Sequence, residues 1–117
     1  MNLQIHALIG PNCITLEDGQ VVYEIVYPEL KAGHQIELDF KDVKLFASPF
    51  FNAAIGQLYK DFSSDELNHL LKMHSLTANG SIVLRKVGEN AKAYYSSAKA
   101  KTAIESAVDS HAKKEER

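Results

Sequence analysis

The segment Ile36-Glu37-Leu38-Asp39-Phe40-Lys41-Asp42-Val43-Lys44-Leu45-Phe46-Ala47-Ser48-Pro49-Phe50-Phe51-Asn52 decides the fold. Ile36, Leu38 and Phe40 alternate with Glu37 and Asp39, and Val43 and Leu45 extend the apolar content, which predicts a strand of about six residues. Ser48-Pro49 then reads as a helix start, with Ser48 as the N-cap and Pro49 at the first helical position, where a missing N–H is no loss. Phe51, Ala54, Ile55 and Leu58 follow the i, i+3, i+4, i+7 spacing of a buried helical stripe, and Phe62 continues that face.

Toward the N-terminus, Leu3, Ile5, Ala7 and Ile9 alternate with Gln4, His6 and Leu8 as far as Gly10-Pro11-Asn12, which predicts a first strand and a turn. Thr15 to Leu30 admits two readings. Asp18-Gly19 before Val21, Val22, Tyr23, Ile25 and Val26 fits a hairpin and a β-branched strand. A helix is preferred, because Leu16, Gly19, Val22, Tyr23, Val26 and Leu30 fall within about 120° of arc. Thr15 with Asp18 resembles a capping box, and Gly33 suits the position just past the helix end. Pro28 weighs on the other side, since proline inside a helix costs roughly 3 kcal/mol unless a kink absorbs it.

Toward the C-terminus, Ser63 and Glu66 form a second capping box, and Leu67, Leu70 and Leu71 supply a short helix ending near Lys72. A short strand through Met73 to Leu76 follows. From Ala78 onward Val83, Leu84, Val87, Ala91, Tyr94, Tyr95 and Ala98 share one face of a long amphipathic helix that tolerates Gly80 and Gly88. Residues 1–98 therefore read as one domain. Residues 99–117 read as a helical extension or a disordered charged tail, in which Ile104 and Val108 offer a face only two residues wide. Strands alternating with helices favour an α/β fold, a small mixed sheet of about four strands flanked by helices.

At 117 residues the chain is long enough for one packed core and too short for two. A net charge of −2 leaves no surplus of Lys and Arg to neutralise phosphates, which argues against nucleic-acid binding. Neither a signal peptide nor a membrane span is visible, so a cytoplasmic protein is expected. Cys13 is the single cysteine and reads as a small buried thiol rather than a nucleophile. His6, His34, His69, His74 and His111 are scattered; His69 and His74 would stand about 140° apart on a helix, so no metal site is expected. With neither GxGxxG nor GxxxxGK[ST], no nucleotide cofactor is indicated. Asp39 and Asp42 follow a strand, where α/β enzymes place carboxylates, but such a pair more often serves solvation or capping, and an enzyme is not the preferred reading.

The quoted segment resembles the central strand, loop and helix of the STAS-like family, relatives of sulfate-transporter and anti-sigma-antagonist domains. The likeness runs from about Leu16, through Leu-Glu-Asp-Gly at 16 to 19, to about Tyr95. It implies a STAS-like sheet and a non-catalytic regulatory domain that engages a histidine-kinase-type ATPase or a related signalling protein, without a cofactor, and it allows a homodimer. In the anti-sigma antagonists this loop carries Asp-Ser-Ser-Gly, and its second Ser is phosphorylated by the partner kinase. Those four positions fall here on Ala47, Ser48, Pro49 and Phe50. Pro49 has no hydroxyl, so Ser48 would have to stand in. A phosphate at a helix N-terminus is electrostatically favoured, but N-capping would already occupy the Ser48 hydroxyl.

On the helix begun by Pro49, the face away from the stripe carries Pro49, Asn52, Ala53, Gly56 and Gln57, which are short and weakly charged. Small residues permit close approach by a partner. The expected partner-binding set is therefore Lys44, Phe46, Ser48, Pro49, Asn52, Ala53 and Gly56. The competing account places Ala53 and Gly56 beneath the C-terminal helix. Three rival functions stand beside docking: a phosphorylation switch at Ser48, a small-ligand sensor using the crevice beyond the Phe40 strand end, and an enzyme using Asp39 or Asp42.

Overall fold

The strand expected at Ile36 lies at the centre of a parallel sheet. In a computed structural model, which describes the backbone of residues 1–109 and the side-chain surroundings of residues 1–96, β1 (Asn2–Gln4) and β5 (Leu71–His74) flank β3 (Ile36–Asp39). A separate parallel pair joins β2 (Asn12–Cys13) to β4 (Leu45–Phe46). The sheet is thus three strands with a two-stranded partner, all parallel, rather than a mixed sheet of four. The reason lies after Phe40. The Val43 amide donates to the Phe40 carbonyl at 2.9 Å, and Asp42 takes a left-handed φ of 68°, so the chain turns out of the sheet before Val43 can extend β3.

The first strand is also shorter than expected. Its pairing stops at Gln4, and Ile5–Ile9 forms a short helix, α1, closed by Gly10 at φ 91°. Ile5 and Ile9 stand four apart, so they satisfy a helical face as well as an alternation; Ile5 is fully buried while Leu8 is exposed.

The remaining helices, except the one begun at Ser48-Pro49, follow the sequence closely. α2 (Leu16–Lys31) begins where Thr15 Oγ1 accepts from the Asp18 amide at 3.1 Å, and buries Gly19, Val22, Val26 and Leu30. Pro28 sits exposed in its last turn. Gly33, at φ 84°, ends the helix: its amide donates to Leu30 O and the His34 amide to Glu29 O, both at 2.9 Å. α3 covers Ser48–Ala54, and a 3-10 turn covers Gly56–Lys60. α4 (Ser64–Leu70) carries the full capping box, with the Ser63 amide donating to Glu66 Oε1 at 2.8 Å and the Glu66 amide to Ser63 Oγ at 3.1 Å. α5 spans Ala78–Asp109. The side chains of Ala98, Ile104 and Val108, and residues 110–117, lie outside the described parts.

Ile36, Leu38 and Leu71 face the core, where each fully buried aliphatic side chain contributes about 1.5–3 kcal/mol. The other face of the sheet is polar. The register sets Asn2, Glu37 and Lys72 in one row and Gln4, Asp39 and His74 in the next. Among the described residues no helix is long and apolar enough to cross a membrane.

Candidate functional site

The corner at β4 and α3 is held from several sides. Pro11 O accepts from the Lys44 amide at 2.7 Å, and Cys13 O accepts from the Ala47 amide at 2.9 Å, so Pro11 and β2 clamp β4 at its two ends. Strand alternation turns Leu45 outward, 54% exposed, and Phe46 inward. Phe46 stacks on Phe51 with centroids 5.8 Å apart and planes 1° from parallel, and Phe40 tilts against both rings. Gly80 of α5 lies flat on the Phe46 ring, where an added Cβ would come within 2.9 Å. The start of α3 is therefore a rigid corner over an aromatic cluster.

Of the residues expected to meet a partner, Lys44, Ser48, Pro49 and Asn52 are exposed. Phe46, Ala53 and Gly56 are interior and cannot offer an outward contact. Ala53, 4% exposed, faces α2 at Gly19, where an added Cβ would lie 2.8 Å from the Ala53 methyl and would overlap the Phe50 carbonyl. Gly56 lies beneath α5; a Cβ on it would meet Val87 at 3.6 Å and Ala91 at 3.8 Å. Small residues here do permit close approach, but by the protein's own helices. The helix also ends at Ala54, and the following 3-10 turn advances by about 120° per residue, so Gly56 and Gln57 leave the face that a continuous helix would give them. Gln57 instead donates to Gln20 Oε1 at 2.9 Å and to Ala53 O at 2.8 Å, tying the turn to α2.

The capping role expected of Ser48 is absent. Ala47 is the N-cap, in extended conformation, and no side chain caps α3. Ser48 is the first helical residue and its hydroxyl is left to solvent. Leu45 is the exposed neighbour that the sequence reading missed; its alternation with the inward Phe46 was the available signal.

The groups weighed for chemistry are engaged otherwise. Burial, and after it the Asp18 charge, push the Cys13 thiol up to about 12, so little of it ionises at neutral pH. Asp39 Oδ1 accepts from the Lys41 amide at 3.0 Å, the main reason its carboxyl is held below the ordinary carboxylate range. Ser75, Gln4 and His74 act in the same direction, while partial desolvation opposes them. Asp42 occupies the left-handed position of the turn. His74 Nε2 stands 3.2 Å from Glu37 Oε1, and His34 Nδ1 stands 2.9 Å from Glu29 Oε1, both pairs on the surface. Among the described residues no three His, Cys, Asp or Glu side chains gather where they could hold a metal ion.

Comparison with curated proteins and with solved structures finds no match. A family profile described as a STAS-like domain of unknown function (DUF4325) matches residues 18–81, which takes in most of α2, and β3, the β4–α3 corner, α4 and β5. On that match, over more than half of its length, the chain belongs to the STAS-like domain family.

Proposed function

We propose that this chain is a non-catalytic regulatory domain that docks a protein partner on the corner formed by Lys44, Leu45, Ser48, Pro49 and Asn52. The partner class is a histidine-kinase-type ATPase or a signalling protein related to it. One observation carries the reading: the Ser48 hydroxyl and the Pro49 ring stand exposed on a clamped backbone, with no cap bond occupying the hydroxyl. A surface already held in place loses little conformational freedom on binding. Leu45 adds an apolar contact and Lys44 a charge that sets orientation. Membership of the STAS-like family supports the regulatory class, and the protonated Cys13 thiol and the turn-bound Asp39 give catalysis no support.

Affinity purification from the native host tests this with wild-type protein and the Ser48→Glu and Pro49→Arg variants. An ATPase of the kinase type should be retained by the wild type and lost by both variants, with thermal midpoints moving by no more than about 3 °C. Equal retention by all three would refute the corner as the contact. A second reading uses the same hydroxyl. A phosphate on Ser48 would bring nearly two negative charges to the corner and switch the contact. Mass spectrometry of protein from its own host reads this directly: unmodified Ser48 under every growth condition tested removes the switch and leaves the docking reading standing.

A further inference from the structure

Away from the Ser48 corner, a groove runs along one flank of α5. Its first half, about 340 Å³, is floored by the half-buried Met73 and Leu84 above the core residues Leu67 and Leu71, and polar side chains line much of the rest. Its second half, also about 340 Å³, is walled by Tyr59, Phe62 and Tyr95. Tyr59, Ser64 and Lys92 line both halves, so the two adjoin. Gly88 lines the first half, beside Tyr59. A Cβ there would stand 3.4 Å from the Tyr59 hydroxyl, so a long side chain at this position would crowd Tyr59 at the edge of the cleft. Glycine inside a helix costs about 1 kcal/mol relative to alanine.

The polar groups of the groove are unevenly signed. Arg85, Glu89 and Lys92 edge it from α5, and Ser64 and Asn68 edge it from α4. Arg85 and Lys92 lie two turns apart, about 10 Å along the helix, on one side of it. Among the described residues neither forms an ion pair with a carboxylate, Glu89 included. An apolar cleft of this size with a few convergent polar groups matches the form of small-molecule sites. A guanidinium held free at its edge presents a planar fork suited to a carboxylate.

We propose that this groove binds a small amphiphilic monoanion, an acyl or aryl carboxylate. Its apolar body lies over Met73 and Leu84, the half-buried apolar side chains of the cleft, and its carboxylate is held by Arg85 or Lys92 with Ser64 and Asn68 as further donors. Arg85 and Lys92 together outweigh Glu89 by one positive charge, which favours a ligand carrying one negative charge.

Amide NMR titration of the full chain with decanoate, kept below its micelle concentration, tests the proposal; decyltrimethylammonium serves as the charge-reversed control. Saturable shifts are expected at Ser64, Asn68, Leu84 and Gly88 with decanoate and not with the cation. The Arg85→Glu/Lys92→Glu double variant should weaken binding by at least about tenfold, the size set by losing a charged hydrogen-bond partner, with its thermal midpoint kept. Gly88→Leu should crowd the cleft beside Tyr59 and weaken binding independently of charge, with circular dichroism showing the fold intact. Shifts that do not saturate, an equal response to the cation, or unchanged affinity in the double variant would overturn the assignment. Tighter binding of an acidic amphipathic peptide at the same residues would overturn it too, assigning the groove to a protein segment.

Discussion

Replacing Gly19 with alanine should destabilise the protein, although alanine is the better helix former. Gly19 lies inside α2 without a positive φ, so its own backbone would accept a side chain. The obstacle is α3. The new methyl would stand 2.8 Å from the Ala53 methyl, where carbons pack best at about 3.5–4.0 Å, and it would overlap the Phe50 carbonyl. The two helices must part by about 1 Å along their contact, and the second obstacle is backbone, which no rotamer change relieves. Overpacking of this kind costs about 1–3 kcal/mol, and strain against backbone falls at the upper end. The helix-propensity gain of about 1 kcal/mol offsets part of it. A net loss of about 1–2 kcal/mol corresponds to a thermal midpoint lowered by roughly 5–15 °C in a domain of this size. Urea denaturation followed by far-UV circular dichroism measures it, with an unchanged m-value as the sign that only stability moved. A midpoint equal to or above that of the wild type would show that α2 and α3 are not closed against each other at Gly19, and the account of Ala53 would fall with it.

Ser48→Ala should leave stability within about 0.5 kcal/mol of wild type, whereas Thr15→Ala should cost about 1 kcal/mol, because only Thr15 caps its helix; matched urea midpoints decide. Ala53→Arg should lower the thermal midpoint by 10 °C or more, roughly the effect of forcing a charge into a closed contact, while the exposed neighbour Asn52→Arg should barely move it. Asp39 titrates below its ordinary value of 3.8, so its contribution to stability is complete above that pH and is lost as pH falls through the lower folded value; the urea midpoint of Asp39→Asn should lack this acid-side decline. Cys13, fully buried and with its thiol pushed up to about 12, should stay unreactive toward a disulfide reagent at about pH 8 in native protein and react promptly once urea unfolds the chain.

The elements read correctly from sequence are those whose signals were local. α2 and α4 announced themselves by caps at Thr15 and Ser63, and β3 by the alternation of Ile36, Leu38 and Phe40. Where two periods fit the same residues, as at Ile5 and Ile9, pattern alone chose wrongly, because pairing with β3 ended at Gln4. The left-handed turn at Asp42 was hidden for a different reason: an aspartate tolerates that conformation without requiring it, so nothing in the residue types cut Val43 and Leu45 away from β3. In the candidate site, the exposure of Lys44, Ser48, Pro49 and Asn52 followed from their polarity and their place at a helix start. The burial of Ala53 and Gly56 depended on where α2 and α5 come to lie, which is tertiary information.

Small residues on a helix face carry the same sequence signature whether the close neighbour is another molecule or another part of the chain. What separates the cases is a complementary gap on the neighbour. Gly19 supplies one opposite Ala53, and it does so in a helix whose backbone has no need of glycine. The pairing of an unneeded glycine in α2 with an alanine in α3 is therefore the mark of an internal contact, legible only when both helices are read together. The Ser48–Pro49 corner has no such counterpart among the described residues. Its neighbours Leu45 and Asn52 point outward, and its hydroxyl is left without a cap bond, so this is the part of α3 with surface still to offer.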